Sequence, residues 1–156
     1  MPAIVAAAVL TALAAAQVVL VVREYMHPQP GDEVLLEVPS IVLALLAAGA
    51  MLVRLQMLRL LLVAGAIGGF AVTAVIDAQV SIGFVYHSAY VAAAALGWMT
   101  LILMMAGFVA AWRESGFALM WAVLAAVGGG VAGIFVVSAI VYAVIVIALL
   151  MHPLTS

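Results

Sequence analysis

The sequence predicts an all-α integral membrane protein, a bundle of about five transmembrane helices with its N-terminus inside and its C-terminus outside. Three observations carry that expectation. The composition is 71% hydrophobic over 156 residues. Only four Arg and six acidic residues are present, with no Lys. Those charges fall in the gaps between long apolar runs, and a mean hydropathy of +1.49 excludes an ordinary soluble globule.

The first expected span is 4–22, an uncharged run closed by Arg23-Glu24. About 20 residues at 1.5 Å each cross a hydrocarbon core of about 30 Å, so this run suffices. No cationic start precedes it, so it reads as an uncleaved helix and not as a secretory signal. Residues 23–39 follow as an outer loop, polar and broken by Pro28, Pro30, Gly31 and Pro39.

The next two spans are expected at 40–57 and 60–77. The turn between them contains neither Gly nor Pro, but a single helix from Ser40 to Ile76 would be about 55 Å long, too long for one crossing. A reversal near Arg54 and Arg59 is therefore expected. The fourth span is 84–112, closed by the polar turn Arg113-Glu114-Ser115-Gly116. The fifth, 117–151, is too long for a straight crossing; it either projects past the bilayer or breaks at Gly128-Gly129-Gly130, where each glycine costs about 1 kcal/mol relative to Ala in a helix.

Charge bias gives the orientation. With five spans and the N-terminus inside, Arg54, Arg59 and Arg113 become inner topology anchors, and five of the six acidic residues fall outside. The expected location is a prokaryotic cytoplasmic membrane. Partners are then the lipid bilayer itself and, through small-residue helix faces, a second copy or other membrane subunits. Gly65 with Gly69, and Gly129 with Gly133, are each four residues apart, the spacing that lets helix backbones approach closely. Nucleic acid is not an expected partner, because no cationic patch exists to meet it.

Residues with chemical potential gather on the outer side. His27, His87 and His152 share that compartment in the five-span topology, which is the composition of a haem or copper site. Met26-His27-Pro28 and Met151-His152-Pro153 repeat each other after two apolar runs. Asp77 and His87 form a second candidate, a ligand-binding or proton-linked pair near a helix end. The plainer account of all of them is that polar residues mark membrane interfaces, and no His-x3-His pair stands against it.

No catalytic residues emerge. Ser40, Ser81, Ser88 and Ser138 have no evident base, and no charge falls near the middle of a span. The expected function is that of a small polytopic protein without catalytic chemistry, an accessory subunit or homo-oligomer in an energy-transducing or transport membrane. A small channel or transporter with its pore between subunits is the first alternative. A haem- or copper-binding redox protein using the outer histidines is the second.

Overall fold

The computed structural model describes residues 2–26, 37–80 and 88–151. They form five helices: α1 (Ala3–Met26), α2 (Glu37–Met51), α3 (Gln56–Val80), α4 (Ser88–Ser115) and α5 (Leu119–Met151). The chain is an all-α membrane bundle. Four of the helices, α1, α3, α4 and α5, are long and apolar enough to cross a bilayer, while the apolar part of α2 is the shorter Val38–Met51. At about 21 Å that stretch falls short of a hydrocarbon core of about 30 Å.

Helix boundaries differ from the expected ones in ways that backbone hydrogen bonding explains. Pro2 starts α1: its carbonyl accepts from the amides of Val5 (3.0 Å) and Ala6 (3.2 Å), and as a proline it has no N–H to leave unpaired. The polar loop expected at 23–39 is helical at both ends, since α1 continues to Met26 and α2 begins at Glu37. Pro39 consequently sits in the first turn of α2, where the missing amide breaks no intrahelical bond.

The reversal between α2 and α3 lies at Leu52–Leu55, before Arg59 and around Arg54. It manages without Gly or Pro because the amides of Leu52 and Val53 turn back to the carbonyls of Gly49 (3.0 Å) and Ala50 (3.1 Å). These tighter bonds satisfy acceptors that the end of a helix leaves open. Arg54 projects into solvent from the turn, and Arg59 lies inside α3.

The turn from α4 to α5 is held more tightly. Ser115 Oγ donates to the Trp112 carbonyl (2.6 Å) and accepts from the Phe117 amide (3.2 Å), while Trp112 Nε1 donates to the Phe117 carbonyl (2.9 Å). Gly116 supplies the left-handed residue of this helix end, at φ 68°. A side chain there meets no neighbour but does meet its own backbone. Gly116→Ala is therefore expected to lower stability by about 1–2 kcal/mol without altering the packed faces, a loss measurable by thermal unfolding in mild detergent.

Four helices enclose the core. α1 packs against α2 and α4, α3 against α2 and α4, and α5 lies outside this group, mainly on α3. The core is dominated by alanine, with Ala6, Ala44, Ala47 and Ala111 buried around Leu10, Leu60, Val63 and Met104. Lipid is as apolar as Leu, so burial alone does not drive helices together in a bilayer. Small side chains hold them by letting backbones approach and dispersion contacts accumulate.

α5 is joined to α3 by glycine. A Cβ on Gly129 would lie 2.5 Å from the Leu61 carbonyl oxygen, one on Gly133 would run into the backbone of Gly65, and one on Gly68 into the backbone of Gly130. Gly69 meets Val137 one turn further along. The contacts Leu61–Gly129, Gly65–Gly133 and Gly69–Val137 advance in step, so α3 and α5 run parallel. The glycine faces expected to meet another subunit are thus taken up inside the chain. The helix also continues unbroken through Gly128-Gly129-Gly130 as one element of 33 residues.

Candidate functional site at the arginine end

The antiparallel order of α1 to α4 brings four segments to one end of the bundle: the start of α1, the α2–α3 turn, the end of α4 and the start of α5. Among described residues, Arg54, Arg59, Arg113 and Glu114 are the charged groups there. Their formal charges sum to a net positive end.

Glu114 ties three helices together. Its Oε1 accepts from the Ala3 amide (2.8 Å), one of the unpaired donors that begin α1. Its Oε2 accepts from Arg59 Nη1 on α3 (3.1 Å). The carboxylate also sits favourably at the positive end of the α1 dipole. The two partners differ in exposure: the Arg59 side chain is 13% accessible and that of Glu114 41%. Arg59 Nε is buried and takes no acceptor among the described residues. The guanidinium therefore depends on Glu114 more than Glu114 depends on it.

Beside this cluster an open groove of about 680 Å³ runs between the start of α1 and one face of α4. Ala106 and Ala110 leave its floor low, Met105 and Val109 form an apolar wall, and Arg113 stands at its mouth with Glu114 and Pro2. Arg113 is exposed and makes no ion pair among the described residues.

Deeper in the bundle the buried polar side chains among the described residues are Gln17, Thr73 and Thr100. Thr73 Oγ1 donates to the Phe70 carbonyl (2.9 Å) and Thr100 Oγ1 to the Leu96 carbonyl (2.8 Å), each on its own helix. Thr11, nearer the start of α1, does the same to Ala7 (2.9 Å). Gln17 Oε1 has no partner among the described residues.

The histidine candidates are not brought into this picture. His27, His87 and His152 lie outside the described residues, and so does any convergence of them on haem or copper. Asp77 occupies the last turn of α3, and its suggested pairing with His87 likewise falls outside the described residues. Among the described residues no three metal-ligating side chains come together.

No protein-family model, curated protein or solved structure matches this chain. The arginine end is accordingly read from its own chemistry. In the sequence, charge bias places its three arginines, whereas Glu114 is only part of a closing turn. The available signal was its isolation, since it is the one acidic residue on the side of the arginine anchors.

Proposed function

We propose that this protein is an accessory component of a larger membrane assembly, built from unlike subunits or from copies of itself, and that it acts by packing and not by reaction chemistry. The supporting observation is the apolar length of α5. Leu119–Ile147 comprises 29 residues that carry no charge and are on average strongly apolar. At 1.5 Å per residue it extends about 44 Å, and about 41 Å at the usual tilt of about 20°, against a hydrocarbon core of about 30 Å. From Gly130 onward no described side chain of α5 is fully buried within the chain. Lipid covers only part of such a surface, and protein is the natural cover for the rest.

The ionic groups fit a passive role. The Arg59–Glu114 pair is a helix-to-helix tie, and the buried threonine hydroxyls are satisfied within their own helices. In this reading the arginine end is cytoplasmic, because three of the four Arg belong to it.

Extraction of the native membrane in polymer-bounded discs followed by native mass spectrometry tests the proposal. Discrete species containing unrelated subunits or several copies are expected. A uniformly monomeric protein would refute it.

A further inference from the structure

We propose that the groove beside α4 is a binding site for an anionic phospholipid, with an acyl chain lying over Ala106 and Ala110 and the phosphate held by Arg113. The argument begins with charge. Glu114 stands at the same mouth and would ordinarily neutralise its neighbour, yet both of its oxygens are engaged elsewhere, one by the Ala3 amide and the other by Arg59. Arg113 is left as an exposed cation without an ion-pair partner among the described residues. Arg113, Arg59 and Glu114 together carry one net positive charge, and the partial positive charge of the α1 N-terminus adds to it at Pro2.

Shape then selects the kind of anion. A free phosphate needs only the guanidinium, whereas this groove continues from Arg113 back to Met105, two turns of α4 and about 12 Å along the helix. Its floor is made of two alanines four residues apart, and its wall of Met105 and Val109, both substantially exposed on the bundle surface. A charged mouth at the helix end opening onto an apolar channel directed into the membrane matches a phosphodiester joined to a hydrocarbon chain. Planar guanidinium donors also match phosphate oxygens two at a time.

The test uses the full-length protein in discs of phosphatidylcholine containing a minority of phosphatidylglycerol, with retained lipid read by native mass spectrometry after mild extraction. The wild type is expected to hold phosphatidylglycerol above its bulk share. Arg113→Gln should reduce that enrichment roughly five-fold, the equivalent of about 1 kcal/mol for one cation at a membrane surface. Arg54→Gln, which removes an exposed charge from the same end but not from the groove, should leave it unchanged. Ala110→Leu, which fills the floor and keeps every charge, should also lower retention, and circular dichroism establishes that each variant is folded. Absence of enrichment in the wild type would overturn the site. So would equal losses in the Arg54 and Arg113 variants, or displacement of the lipid by inorganic phosphate alone.

Discussion

Replacing Gly133 with leucine is expected to detach α5 from α3 and to cost about 3 kcal/mol or more, the upper end of what overpacking a closed interface costs. Even a single Cβ at this position would enter the backbone of Gly65. A backbone obstacle does not move aside as a side-chain tip does, so the helices must separate. Separation then loosens the neighbouring contacts of Gly129 with Leu61 and of Gly68 with Gly130. Gly128 provides the internal comparison, because a Cβ there has nothing within 4 Å. Gly128→Ala should be neutral or stabilising by up to about 1 kcal/mol, the ordinary helix-propensity gain. Thermal unfolding of both variants in the same detergent separates packing from propensity. Equal destabilisation of the two would mean that the glycines serve backbone flexibility and that the α3–α5 interface contributes little.

The same glycines show where sequence reading stops. Apolar runs bounded by charge revealed an all-helical membrane bundle, because a bilayer imposes its length and polarity on each segment separately. Whether α5 breaks at Gly128-Gly129-Gly130 depends instead on a neighbour. Propensity disfavours a glycine triplet in a helix, but contact with α3 requires that Gly129 lack a side chain, and tertiary packing prevails. Small-residue spacing was visible at Gly65 and Gly129, though not that these faces would find each other within one chain. The α2–α3 turn was legible from Arg54 and Arg59, while its end points rest on the backbone bonds of Leu52 and Val53. At the arginine end, the anchors were legible from charge bias. The role of Glu114 was not, since its partners Ala3 and Arg59 lie far away along the chain.

Glu114→Ala is the second substitution expected to have a large effect, and its comparison with Arg59→Met is the informative part. Loss of the carboxylate leaves a mostly buried guanidinium unpaired and returns the Ala3 amide to the unsatisfied donors of α1. Removal of a charged hydrogen-bond partner of this kind costs about 2–3 kcal/mol. Arg59→Met acts on the opposite side of the pair. It leaves a carboxylate that is 41% accessible and still bonded to Ala3, so water replaces what the guanidinium gave. The expected cost is about 1 kcal/mol, since methionine also keeps much of the apolar stem in place. Combining Arg59→Met with Glu114→Gln should recover most of the stability lost in Glu114→Ala. No buried cation then remains, and the amide oxygen can still accept from Ala3. With Glu114→Gln alone as the second single variant, a double-mutant cycle by thermal unfolding in detergent measures the coupling. Because Arg59 is mostly enclosed, added salt should change it little. Equal losses from the two single substitutions, or a coupling that vanishes in high salt, would show a surface ion pair of small consequence and not a tie joining α1, α3 and α4.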